Sequence, residues 1–349
     1  MHVWPDTLAG LHAAASVLRA GGLVAFPTET VYGLGANAWN ESAVRRVFEA
    51  KGRPADNPLI VHVAGTRHLE GVVQDVATLP QTVRRAMEVF WPGPLTLLLP
   101  AHPRLAPSTH PMLPTVGVRM PNHPVALALL EQANCPVAAP SANKSGRPSP
   151  TLATDVVEDL GEAIAGVIDG GPSSIGVEST VVAIGIDHAT IYRPGGVSAQ
   201  QLEDALSVPV SLDAHLLDPT SAPRAPGMKY RHYAPSAEVM VFMGDTAAVE
   251  DTIVRVASDP AASPAAIIAP EQVRGVMRGS VLDWWPEPGE NYTVALSREL
   301  YRLLRAFDRA GAKRILIAGV DPLARDAHPL ALAVMNRLEK AASGRVVRV

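Results

Sequence analysis

Hydrophobic positions along this chain change their spacing repeatedly. In some stretches they recur every three to four residues, and in others they form short unbroken runs. Over residues 6–20, Leu8, Leu11, Ala15 and Leu18 fall on one side of a helix that Asp6 can cap and that Gly21-Gly22 ends. Residues 23–26 then read as a short buried strand. Residues 27–35 read as a loop at its carboxyl end, the edge where ligands collect in open α/β sheets. A second helix over 41–50 carries Ala43, Val44, Val47 and Phe48 on one face. Further strands are expected at 59–63, 95–99, 116–119, 136–139, 167–169, 180–184 and 189–192, with helices over 80–90, 124–133, 151–160 and 198–206. This mixture predicts an α/β domain of about 200 residues on a parallel-sheet scaffold.

The pattern changes near 207. A stretch rich in Pro, Ser and Ala loses periodicity and reads as a linker over 208–237. Tyr230, Arg231, His232 and Tyr233 are costly residues for an inert spacer, so the segment is expected to dock or to act as a lid. From 238 the alternation restarts. Strands are expected at 239–243, 265–269, 292–296, 314–318 and 346–349. Helices are expected at 246–257, at 298–310 with Leu300, Leu303, Leu304 and Phe307 inward, and at 327–341. The organisation is therefore a domain over 1–207, a linker over 208–237 and a smaller α/β domain over 238–349.

Composition narrows the function. A length of 349 residues exceeds one ordinary core, which agrees with two domains. A formal net charge of -4 argues against a general nucleic-acid coat and leaves room only for a local basic cleft. The single cysteine, Cys135, excludes an internal disulfide and a multi-cysteine metal site, and it reads as a buried small hydrophobe. The histidines show no metal-ligand spacing, and His62, inside a strand, reads as a residue satisfying a local hydrogen bond. The amino terminus lacks a signal-peptide pattern and no run approaches about 18 apolar residues, so a cytoplasmic protein without a membrane span is expected.

Two short polar segments carry the chemistry. Residues 51–58 read Lys-Gly-Arg-Pro-Ala-Asp-Asn-Pro. Pro54 biases Arg53 towards an extended backbone, which would put Lys51 and Arg53 on the same side as a two-pronged cation for phosphate or carboxylate. A solvated charge pair at a helix end is the competing reading. In Pro140-Ser141-Ala142-Asn143, Ser141 and Asn143 would likewise face one way and offer a hydroxyl and an amide, with a simple Asx or Ser turn as the alternative. Lys144 and Arg147 add positive charge nearby. Thr28, Glu29, Thr30 and Tyr32 occupy the first loop beside Gly33 and Gly35, which form neither a phosphate loop nor a dinucleotide fingerprint. Arg119 ends an apolar strand, where a charge needs either a salt-bridge partner or an anion. Ser173, Ser174, Glu178, Ser179 and Thr180 follow a Gly-Gly-Pro turn, and Arg193 is a further anion candidate.

Taken together, the runs 26–34, 51–54, 57–59, 91–94, 118–119, 140–143 and 178–180 resemble the threonylcarbamoyl-AMP synthase family, and the resemblance covers about residues 8–206. The Pro-Gly-x-x-x-x-His-Tyr-x-Pro pattern at 226–235 and the unit after it resemble the longer, two-domain form. The resemblance implies a YrdC-like twisted mixed sheet with flanking helices, plus a smaller Rossmann-like α/β domain. It implies that L-threonine, bicarbonate or carbon dioxide and ATP give threonylcarbamoyl-AMP and pyrophosphate, with Mg2+ on the phosphates and no protein metal site. A tRNA-modification transferase complex would take the product, and a weak RNA contact is expected. Carried across by motif, Lys51, Arg53, Ser141 and Asn143 would be catalytic. Those four with Asn57 and Arg193 would hold the nucleotide. Thr30, Tyr32, Arg119 and Ser179 would shape the substrate pocket, and Tyr230, His232 and Tyr233 would anchor a lid. The alternatives are a transferase working through carbamoyl-adenylate, a non-catalytic RNA-binding protein and a nucleotide sensor.

Overall fold

The computed structural model describes residues 1–217, 234–259, 263–271 and 282–349. It divides into two compact units. One comprises Met1–Ser145, Ser149–Ser174 and Glu178–Tyr230, and the other Gly146–Pro148, Ile175–Val177 and Arg231–Val349.

The first unit runs β1 (His2–Pro5), α1 (Leu8–Arg19), β2 (Val24–Phe26), β3 (Gly33–Asn37), α2 (Glu41–Lys51), β4 (Ile60–His62), α3 (Gln81–Phe90), β5 (Leu95–Pro100), β6 (Thr115–Arg119), α4 (Pro124–Ala133), β7 (Val137–Ala138), α5 (Ala153–Leu160), β8 (Gly166–Asp169), β9 (Thr180–Ile184), β10 (Ala189–Arg193), α6 (Ala199–Leu206), β11 (Val210–Leu212) and α7 (Ala214–Leu217). Its strands form one sheet in the order β1-β8-β2-β3-β7-β4-β6-β5-β9-β10-β11. The sheet is mixed rather than parallel: β4 pairs parallel with β6, while β3 pairs antiparallel with both β2 and β7.

Strand β3 lies where a loop was expected. Gly33 and Gly35 carry no side chains to display an alternating pattern, yet their backbone pairs with Phe26 and Val24. Strand β1 was also missed, and Thr7, not Asp6, caps α1 by accepting from Gly10 N. Val210–Leu212, inside the stretch read as a linker, pairs parallel with β10 and extends the sheet.

The core follows strand alternation. Ala25 belongs to the cluster built with Leu34, Val47, Val61, Leu97 and Val182, whereas its neighbours Val24 and Phe26 belong to the cluster under α1 and α4. Each large side chain so buried contributes roughly 1.5–3 kcal/mol before entropy is counted. Cys135 is buried among them, and burial pushes its thiol up to about 11, as expected for an inert core residue.

The second unit runs β12 (Glu238–Met243), α8 (Thr246–Ala257), β13 (Ala265–Ile268), β14 (Leu282–Trp284), α9 (Tyr292–Arg309), β15 (Arg314–Ala318), α10 (Ala331–Ala341) and β16 (Val346–Arg348). Every strand pair is parallel, in the order β14-β13-β15-β12-β16. Residues 292–296, expected as a strand, open α9 instead. The Asn291 side chain caps the helix at Val294 N, and Ala295, Leu296, Leu300, Leu303, Leu304 and Phe307 form one buried helical face. Among the described residues no helix is long and apolar enough to cross a membrane.

Candidate active site

The Lys51 side chain leaves the last turn of α2. Gly52 follows it in the left-handed region at φ 59°, as the helix C-cap, and this turn breaks the extended geometry expected for 51–53. Lys51 is buried, and its ammonium donates to Ser141 O at 2.5 Å and to Asn143 O, with Asn143 Oδ1 at 3.4 Å. Arg53 bends onto its own loop, where Nε donates to Asn57 O at 3.3 Å and Nη2 to Pro58 O at 3.1 Å. The expected same-side pair is thus replaced by two separately anchored cations, one on the 141–143 loop and one on the 57–58 loop. Asn57 is itself buried.

Ser141 and Asn143 were expected to face one way, and their side chains meet on one side of the loop. The Ser141 hydroxyl donates to Asn143 Oδ1, while Ala142 packs into the core. The loop runs antiparallel to the start of β3: Gly33 bridges Ser141, Ala142 N donates to Tyr32 O at 2.8 Å, and Leu34 N to Pro140 O at 2.8 Å. The basic segment, the Ser-Ala-Asn loop and the first loop are therefore contiguous.

The first loop is a Thr turn. Thr28 Oγ1 accepts from Thr30 N and Val31 N, both at 3.2 Å, and lies 2.8 Å from Thr30 Oγ1. Arg119 reaches into this loop from the end of β6. Nη1 donates to Thr30 Oγ1 at 2.8 Å, Nε to Gly93 O at 3.2 Å, and Nη2 stands 2.6 Å from Glu29 Oε2 as a buried ion pair. The choice left open for Arg119 thus has a definite partner in Glu29. Tyr32 is fully buried and directs its hydroxyl to the 170–171 turn, donating to Gly171 O at 2.7 Å and accepting from Gly170 N at 3.3 Å. Burial pushes this phenol well above its ordinary value, so it stays protonated. In this state Tyr32 acts as a latch between loops.

The 93–95 turn links Arg119 to the Glu178-Ser179-Thr180 segment, since Thr180 N donates to Pro94 O at 3.0 Å. Ser179 Oγ lies 2.7 Å from Thr96 Oγ1, and Arg193 donates from Nε and Nη2 to Ser179 O at 3.0 and 2.9 Å. Gly195 makes this packing possible, because a Cβ there would sit 2.2 Å from Thr180 N and 2.3 Å from Ser179 C. Glu178 accepts from the buried Ser149 hydroxyl at 2.7 Å.

His62 lies beside these residues. It pairs in register with Arg119 on the neighbouring strand and meets the Phe26 ring edge-on at 5.8 Å. The local hydrogen bonding expected of it involves the Ile60 and Val137 backbone, while its buried Nδ1 has no well-formed hydrogen bond among the described residues. Burial, and then the charge of Arg119, drive its pKa down to about 3, so the ring is neutral. In the sequence it was a lone histidine in an apolar strand, a pattern shared with ordinary core packing. Tyr230, His232 and Tyr233 lie outside the described residues. Among the described residues no group of three His, Cys, Asp or Glu side chains could hold a metal ion.

A buried lysine on a Ser-Ala-Asn loop, an arginine–glutamate pair and an arginine–serine pair thus lie along one sheet of an α/β domain. Residues 16–195 match the Sua5–YciO–YrdC family, described as telomere recombination, and residues 197–343 match the threonylcarbamoyl-AMP synthase C-terminal domain. The chain is 43% identical to the threonylcarbamoyl-AMP synthase of Bacillus subtilis (strain 168) over 339 residues, covering 96% of this chain and 93% of that one. It is 42% identical to the threonylcarbamoyl-AMP synthase of Pyrococcus abyssi over 344 residues, covering 97% and 96%. The crystal structure of P. abyssi Sua5 complexed with L-threonine superposes with a TM-score of 0.90 at 40% identity, covering all of both chains. The chain belongs to the threonylcarbamoyl-AMP synthase family in its two-domain form, and it is an enzyme that forms threonylcarbamoyl-AMP.

Proposed function

We propose that Lys51, Arg53, Ser141 and Asn143 bring together the two anions of this reaction. The threonine amine, once it has lost its ammonium proton to solvent, adds to carbon dioxide derived from bicarbonate and sheds a second proton to solvent. An oxygen of the resulting N-carboxylate then bonds to the α-phosphorus of ATP as the bond to the departing pyrophosphate breaks. Both partners are negatively charged, so cations and neutral donors held in fixed positions carry most of the step. The single observation behind this assignment is the Lys51 ammonium seated on the Ser141–Asn143 loop, 90 residues away in sequence. Asn57 and Arg193 serve the nucleotide, and Thr30, Tyr32, Arg119 and Ser179 shape the amino-acid side. For Tyr32 the contribution is to hold the 170–171 turn.

Magnesium would enter with ATP, as is general for a hard cation that favours phosphate oxygens. When bound it supplies charge neutralisation to the leaving pyrophosphate. We assign residues 1–207, with the β11 strand Val210–Leu212 that extends their sheet, as the catalytic domain, the remainder of 208–237 as the connecting lid with Tyr230, His232 and Tyr233 as its anchors, and 238–349 as the accessory domain. A lid would protect a hydrolysis-prone acyl-adenylate. The product passes to a tRNA-modification transferase complex in the cytoplasm, and RNA contact is weak at a net charge of -4.

The test is mass-spectrometric detection of threonylcarbamoyl-AMP from ATP, L-threonine and bicarbonate, together with threonine-dependent pyrophosphate release. Pyrophosphate release that needs carbamoyl phosphate in place of threonine and bicarbonate would overturn the reading. Alanine at 230, 232 and 233 should increase the hydrolysed fraction of product, and an unchanged fraction removes the lid role.

A further inference from the structure

Glu29 belongs to the first loop but has no role in the assignment above. It is 4% exposed, and one carboxylate oxygen, Oε2, faces Arg119 Nη2 at 2.6 Å. Both oxygens are buried and have no hydrogen-bond partner among the described residues, so Oε2 is held by the ion pair alone and Oε1 by neither. The adjacent hydroxyls are occupied elsewhere: Thr28 Oγ1 donates to Val31 O at 2.7 Å and Thr30 Oγ1 accepts from Arg119. A buried carboxylate oxygen without a donor is costly, so its retention points to a donor that arrives with a ligand.

Arg119 donates from Nε to Gly93 O and from Nη1 to Thr30 Oγ1, while Nη2 stands 2.6 Å from Glu29 Oε2 as an ion pair outside hydrogen-bond geometry. A guanidinium carries five N–H groups, so its fork retains capacity for a carboxylate. A cation with donors to spare beside an anion with an open acceptor is complementary to a free amino acid, which carries both charges on neighbouring atoms.

We propose that Glu29 recognises the α-ammonium group of the amino-acid substrate through Oε1, so that Glu29 and Arg119 form a paired receptor for a zwitterion. The inference rests on threonine being the substrate. It makes Glu29 the residue that requires a free amine, and it excludes hydroxy acids and N-blocked amino acids.

Isothermal titration of the full chain with L-threonine and with 2,3-dihydroxybutanoate, in which a hydroxyl replaces the amine, tests this. The wild type should bind threonine about 10–100-fold tighter, the range for a hydrogen bond to a charged group. Glu29→Gln retains an oxygen for Arg119 while removing the charge. It should bring threonine to the level of the hydroxy acid and leave the hydroxy acid unchanged. Equal affinities of the wild type for both ligands would overturn the proposal. So would an equal proportional loss for both ligands in the variant, which would reduce Glu29 to a support for Arg119. The wild-type comparison decides alone if the variant does not fold. Absence of threonylcarbamoyl-AMP formation by the wild type would instead sink the substrate assignment.

Discussion

Replacing Lys51 by Met separates what its ammonium does for the fold from what it does for the reaction. Methionine keeps an unbranched stem of similar length and removes only the charge and its donors. In the wild type that charge reaches Ser141 O at 2.5 Å and Asn143 O, with Asn143 Oδ1 farther off at 3.4 Å. Two charge-assisted bonds at about 1.5–3 kcal/mol each set a ceiling of about 3–6 kcal/mol. The cost of keeping an ammonium buried, which methionine avoids, offsets several kcal/mol of that. The expected net destabilisation is about 1–3 kcal/mol, against a typical total of about 5–15 kcal/mol, so the variant should fold. The catalytic loss should be larger, about 10²–10³ in kcat/KM, because a donor aimed at developing negative charge is lost. Urea unfolding and threonine-dependent pyrophosphate release, measured on the same preparation, give both numbers. A folded Lys51→Met variant with kcat/KM within about threefold of the wild type would refute the electrostatic role. So would an activity loss matching the unfolded fraction alone.

Other perturbations probe the rest of the site. His62 is held neutral down to about pH 3, whereas an unfolded chain protonates it below about 6.5, so the unfolded state binds more protons between those values and stability falls with pH. The stability difference between the wild type and His62→Gln should shrink by about 2 kcal/mol from pH 6.5 to 5, and parallel pH curves would contradict the burial argument. Gly195→Ala forces a Cβ against the Ser179–Thr180 backbone. It should cost about 1–3 kcal/mol or more and lower activity along with stability, and a thermal midpoint equal to the wild type's would show that the backbone yields freely. Tyr32→Phe removes the contacts with Gly170 N and Gly171 O. A loss of about 1–3 kcal/mol in denaturant is expected, and a null effect would mean that water replaces the hydroxyl.

How much of this was legible in the chain varied with the kind of signal. Helices with an apolar face, such as α2 and α4, stood out because side-chain spacing reports directly on burial. Strand β3 did not, since its two glycines leave pairing to the backbone alone. The opening of α9 reads Tyr-Thr-Val, residues that favour strands, and only the Asn291 cap and the long apolar face behind it tip the balance to helix. In the site, Lys51, Ser141 and Asn143 were found by residue type and motif, and their meeting is tertiary. The same-side geometry of Lys51 and Arg53 failed because Gly52 adopts a left-handed turn, a freedom that Pro54 two residues later does not restrict. His62 and Glu29 were named without a role, because what sets them apart is buried side-chain atoms without a hydrogen-bond partner among the described residues, which no linear pattern records.

On the 141–143 loop, Lys51 grips two oxygens that belong to peptide groups rather than side chains. The lysine therefore senses the path of the chain at 141–143 more than the identity of what hangs from it. Exchanging the hydroxyl at position 141 would alter what the loop offers a substrate while leaving the grip on its main chain in place. An anchor of that kind lets the chemistry at one tooth be varied without loosening the jaw.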